Sequence, residues 1–122
     1  MSDEAAARLD RTLAALADPQ RRRVVDLLGQ RPHRAGELAD QLGLSPPAMS
    51  RHLKTLRLSG LVEERHDGFD ARVRVYQLRP KPMTELATWL STTEAMWSMQ
   101  LDGFRAHMLD KDAVGDAVGE GG

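Results

Sequence analysis

For its first sixty residues the chain repeats apolar positions every three or four places; it then alternates briefly before the helical rhythm returns. Leu9, Leu13 and Leu16, set among alanines, predict a first helix over residues 4–17. Asp18 and Pro19 read as an N-cap followed by proline at the first helical position, where its missing N–H costs nothing. The helix that starts there carries Val24, Val25, Leu27 and Leu28, with Gly29 as its expected stop and a Pro32-containing loop after it. A short third helix follows from apolar residues at 35, 38, 39 and 42, and Gly43 can take the left-handed conformation that ends it. Ser45 is a good N-cap and Pro46 suits the start of a fourth helix reaching about Leu58, with Gly60 beyond its end.

The rhythm changes at Leu61. Residues 61–66 and 71–78 are β-prone and flank Asp67-Gly68-Phe69-Asp70, which predicts a hairpin. Alternation leaves its inner face open, since Val73, Val75 and Gln77 share one parity and Arg72, Arg74, Tyr76 and Leu78 the other. Pro80-Lys81-Pro82 closes the hairpin and introduces a long helical pattern from about Met83 to Leu109. Leu86, Trp89, Met96, Trp97, Leu101 and Phe104 fall on that pattern, near a 3.5-residue period. This is more apolar surface than a small domain hides, so burial against a symmetric partner is expected, with Leu9 and Leu13 joining the same interface. Residues 110–122, rich in glycine and acid, read as a disordered tail, which leaves 1–109 as one domain.

The fourth helix carries the candidate chemistry. Met49, Leu53 and Leu56 share one face, and Pro47, Ser50, Arg51 and Lys54 lie opposite. An apolar anchor backed by hydroxyl and cationic groups suits a helix that enters the DNA major groove. Arg51 is the expected base reader, because a guanidinium bonds guanine O6 and N7 together. Ser50 and Pro47 would touch base edges or methyl groups, and Lys54 and the Ser45 hydroxyl would meet phosphate. His52 borders the apolar face, where a structural role and a phosphate contact both remain open. A hairpin just after such a helix is a wing, and Arg65, Arg72 and Arg74 are its candidate phosphate contacts. Asp67 and Asp70 at the tip would weaken binding there. Arg21-Arg22-Arg23, at a helix start, either approach the DNA backbone or simply solvate their helix.

The net charge of –1 hides a strong asymmetry. Residues 19–82 hold thirteen basic and seven acidic side chains, a net of +6, against –2 before them and –5 after. Positive charge thus gathers in the segment that holds the two-helix motif, as phosphate contact requires. The chain has no cysteine, which excludes disulfide scaffolds, thiol redox sensing and thiolate metal sites. No apolar run approaches eighteen residues, and the acidic start is wrong for a signal peptide, so a cytoplasmic protein with no membrane partner is expected. His33, His52, His66 and His107 are scattered over different elements, so no metal or cofactor is expected. No nucleophile–base set, phosphate loop or paired carboxylates stand out, which argues against an enzyme.

Several stretches are similar to one family. Ala15-Leu16-Ala17-Asp18-Pro19-Gln20-Arg21-Arg22-Arg23 resembles the opening of ArsR-type winged-helix repressors. Gly36-Glu37-Leu38-Ala39, then Ser50-Arg51-His52-Leu53, Gly60-Leu61-Val62 and Arg74-Val75-Tyr76-Gln77-Leu78, continue the likeness across residues 9–109. The resemblance implies a mainly α (α+β) winged helix-turn-helix in the order α1-α2-α3-α4-β-β-α5, with dimerisation through the first and last helices. It implies a homodimeric regulator of transcription, usually a repressor, and Trp89 and Trp97 look like positions of a cysteine-poor branch. The chain departs from the metal-sensing members. Arg34-Ala35-Gly36-Glu37 offers no thiol, and Asp102 and His107 do not reproduce the two-carboxylate, two-histidine set of the last helix. The expected function is a dimeric repressor on an imperfect palindrome, bound through helix 46–58 and wing 62–78, with half-sites about one helical turn apart. The alternatives are a winged protein-interaction module that has lost DNA binding, and a regulator gated by a small apolar effector beside Trp89, Met96 and Trp97.

Overall fold

The structure, a computed structural model, describes the backbone of residues 2–68 and 70–121 and the side chains among them apart from 67, 71 and 111–121. Seven elements follow in order: α1 (Asp3–Leu16), α2 (Pro19–Gln30), α3 (Ala35–Leu42), α4 (Pro46–Leu58), β1 (Val62–Asp67), β2 (Asp70–Leu78) and α5 (Pro80–Gly121). This is the predicted order. Phe69 and the Asp67 side chain at the hairpin tip lie outside the described residues. So do the side chains of the expected tail beyond Asp110.

The helix boundaries follow from local chemistry. Asp18 caps α2 by accepting from the N–H groups of Gln20 and Arg21, at 2.8 and 3.2 Å. Ser45 Oγ caps α4 by accepting from Ala48 N–H at 3.3 Å. Gly43 ends α3 with φ 65°, and its N–H reaches the carbonyls of Ala39 and Asp40. Gly60, with φ 82°, turns the chain out of α4. Both glycines adopt a backbone shape that a Cβ disfavours.

Three expectations change. Gly29 does not stop α2, which continues through Gln30 to an extended Arg31. The ending comes from the chain beyond: His33 forms an antiparallel bridge with Tyr76, donating to its carbonyl at 3.1 Å and accepting from its N–H at 2.8 Å. That pull into extended backbone ends the helix, and the predicted loop supplies a short third rung to the sheet. Second, α5 starts at Pro80 rather than near Met83, because both prolines sit in a first turn whose N–H groups need no helical partner. Third, the arginine run at 21–23 is neither purely solvated nor wholly free. Arg21 Nε donates to the Ala15 carbonyl at 2.6 Å, and Arg22 donates to Leu16 and Ala17 at 2.7 and 3.1 Å. Two side chains of α2 thus satisfy the carbonyls that the end of α1 leaves over.

The chain divides into two compact units, Met1–Leu86 and Ala87–Gly122. In the first, Val24, Val25 and Leu28 of α2 meet Leu38 of α3, and Met49, Leu53 and Leu56 of α4, in one buried core. Val62 joins from β1, and Tyr76 and Leu78 are packed against its edge from β2. The second unit is helical, and none of its described residues is buried.

Candidate nucleic-acid interface

Helix α4 is held from one side only. Met49, Leu53 and Leu56 are between 0 and 2% exposed, and burying each such side chain contributes about 1.5–3 kcal/mol. Pro47, Ser50, Arg51 and Lys54 all lie exposed on the helix, as the spacing predicts. Among the described residues neither Arg51 nor Lys54 has an ion-pair partner, so both cations are available to an incoming anion.

The tip of α4 has an unusual property. Pro46 and Pro47 carry no N–H, Ala48 N–H is taken by Ser45 Oγ, and Met49 N–H donates to the Ser45 carbonyl at 3.0 Å. The first turn therefore keeps no spare amide, and grip on a phosphate falls to side chains. The Ser45 hydroxyl accepts in the cap and still has its proton to donate.

His52 departs from the outer face. It is half-buried and stands close enough to Asp18 for its charge to act there. The Arg21 N–H, then that of Gln20 and the His52 charge, hold the Asp18 carboxyl below the usual carboxylate range. Among the described residues His52 makes no hydrogen bond or ion pair with Asp18, so it stands beside the α2 cap without a role assigned by contact.

The hairpin register pairs Val62 with Leu78, Glu64 with Tyr76, Arg65 with Val75 and His66 with Arg74, with an irregularity between His66 and Asp67. Val62 is buried, so the parity holding Arg72, Arg74, Tyr76 and Leu78 is the inner one. The three wing arginines accordingly separate: Arg65 lies with Val75 on the other face and cannot share a phosphate track with Arg74. Arg74 Nε sits 3.2 Å from Glu64, whose other oxygen accepts from Arg57 of α4 at 2.9 Å. Arg72 pairs with Asp70 at 3.4 Å but is 93% exposed, which makes that pair weak. Burial, then the Glu64 charge, pushes the neighbouring Tyr76 hydroxyl above its ordinary pKa. The Arg57–Glu64–Arg74 group links wing to helix, and sequence reasoning did not find it. Its members lie seven and ten residues apart across a turn, with no local spacing rule to join them.

Of the residues expected in a dimer interface, Leu9 and Leu86 are already buried within the chain, at 7 and 8% exposure, and offer no free surface. Leu13, Met96, Trp97, Leu101 and Phe104 are exposed, and Trp89 is half-buried. Among the described residues no three His, Cys, Asp or Glu side chains gather as metal ligands would. No described helix is long and apolar enough to cross a membrane.

A two-helix motif with its second helix turned outward, followed at once by a hairpin, defines a winged helix-turn-helix of the DNA-binding class. Residues 18–64 match the family described as "Bacterial regulatory protein, arsR family". The chain is 41% identical over 103 residues to the HTH-type transcriptional regulator Rv2034 of Mycobacterium tuberculosis, covering 84% of this chain and 90% of that protein. It is 26% identical over 82 residues to the transcriptional repressor SdpR of Bacillus subtilis, covering 67% and 88%. The solved ArsR-like transcriptional regulator from Rhodococcus sp. RHA1 superposes with a TM-score of 0.66 at 30% identity, covering 81% of this chain and 91% of that one. The protein belongs to the ArsR family of bacterial regulators and is a DNA-binding regulator of transcription. The named relatives are regulators of transcription.

Proposed function

We propose that the protein is a homodimeric, non-catalytic repressor that acts in the cytoplasm on an imperfect palindrome. Each protomer lays α4 in a major groove and its β1–β2 wing alongside, with half-sites about one helical turn apart. Arg51 reads a base, Ser50 and Pro47 touch base edges, and Lys54, Ser45, Arg72 and Arg74 hold phosphates. Arg65, on the other face of the wing, reaches a phosphate only by a separate approach. The observation that carries the dimer is the apolar exposure of α5: Trp97 stands 58% and Phe104 62% exposed, seven residues apart on one helical face. A surface of that kind is stable in water when a second copy covers it. Repression, rather than activation, draws support from the printed name of the Bacillus relative.

Sedimentation equilibrium of the full chain tests the pairing. Twice the 13.5 kDa chain mass is expected, with Trp97→Glu shifting the equilibrium to the single chain. Footprinting on genomic fragments selected by the purified protein should then show two protected half-sites. A single-chain species that protects both half-sites would overturn the reading.

A further inference from the structure

We propose that the cleft between α1, the α4–β1 turn and the first turn of α5 binds a small organic anion, a carboxylate on a short apolar body. The cavity measures about 270 Å³, which lies just under the roughly 300 Å³ where pockets for drug-sized ligands begin. Its occupant is therefore small. Four cations line it, Arg8, Arg11, Arg79 and Lys81, against one carboxylate, Glu85. Glu85 neutralises Arg8 alone, both of its oxygens accepting from Arg8 Nε at 3.1 Å. Arg79 has only Glu63, at 4.0 Å, and Arg11 and Lys81 have no ion-pair partner among the described residues.

Uncompensated like charges gathered in a concave site focus a field that favours an anion. The cleft's hydroxyls are already committed: Thr12 donates to the Arg8 carbonyl at 3.0 Å and Ser59 to that of Leu56 at 2.8 Å. Polar recognition thus falls to the cations. The apolar body has its own wall in Pro82 and Leu58, the latter 73% exposed and the one leucine of α4 left out of the core. Leu58, Ser59 and Gly60 form the turn where α4 hands over to the wing, so an occupant would press on the end of the outward-facing helix. That regulatory consequence rests on the DNA interface proposed above; the binding site itself does not.

The test is an NMR titration of the isotope-labelled full chain without DNA, using hexanoate, inorganic phosphate and hexylamine as probes. Hexanoate should saturate and shift the Ser59 and Gly60 amides, phosphate should bind more weakly, and hexylamine should leave them unmoved. Arg11→Ala and Lys81→Ala, both at exposed positions, should each weaken hexanoate about tenfold, with unchanged thermal melts. Failure of hexanoate to saturate, an equal response to hexylamine, tighter binding of phosphate, or variants that bind hexanoate like the parent would each overturn the site. So would a loss of DNA affinity in Arg11→Ala without any probe, which would make the cluster a phosphate-backbone contact. Because the titration contains no DNA, a failed DNA interface leaves its result readable.

Discussion

The outer face of α4 and the shaft of the wing carry similar charge, yet their side chains are differently engaged. Among the described residues Arg51 and Lys54 on α4 stand without ion partners, while Arg74 on the wing shares Glu64 with Arg57. A cation already paired must exchange one carboxylate for a phosphate, so it gains less on binding DNA than a free one. The Arg21 and Arg22 guanidiniums make the same point more strongly, since both are spent on carbonyls at the end of α1. Counting basic residues therefore overstates the interface; their partners decide which of them are available.

That contrast can be broken or sharpened by substitution. The largest effect is expected beneath α4: Leu56→Ala, at a fully buried position, should cost about 2–5 kcal/mol of stability by urea unfolding. Wing and helix should lose DNA binding together in that variant. Next comes Arg51→Ala, expected to cost about 1–3 kcal/mol at the preferred site and to relax one base position, read by gel shift on a substituted operator series. Lys54→Ala should instead weaken all sequences alike and reduce the salt slope by about one. Arg74→Ala should change that slope by clearly less than Lys54→Ala in the same titration; equal slopes would erase the distinction between helix and wing.

The smallest effect concerns acid. Asp18 has a depressed folded-state pKa, so its stabilisation is present above the ordinary carboxylate value and lost as pH falls through the lowered one. Asp18→Asn keeps a capping oxygen without the charge. Its melting temperature should lie below the parent's at about pH 7, and the gap should close towards about pH 3. A gap that widens in acid would show that the charged Asp18 carboxylate is not favoured by its cap contacts.

What could be read from the sequence was whatever depends on neighbours within a turn or two. The caps at Asp18, Ser45 and Gly43 are such features, and so is the division of α4 into an anchored side and a free side. The features missed depend on residues far apart in the chain. Nothing near Gly29 announces that Tyr76 will draw His33 into the sheet, and so set the end of α2. The inner face of the hairpin was undecided because apolar residues fall on both parities of β2, Val73 and Val75 on one and Tyr76 and Leu78 on the other; only Val62 in the core and Leu78 opposite it make the choice. Likewise the arginine run looked like surface charge until the end of α1 lay beside it. For the exposed residues of α4, placement on the helix was legible from spacing, whereas their ion partners were not.

The proline pair at the tip of α4 has an evolutionary consequence. With no amide in the first turn of α4 left to clasp the sugar–phosphate strand, the helix offers that strand its side chains rather than its backbone there. On the proposed reading, target preference can then drift through single exchanges at Ser50, Arg51 or Pro47 while the scaffold underneath stays intact. Related chains could diverge to new promoters one side chain at a time.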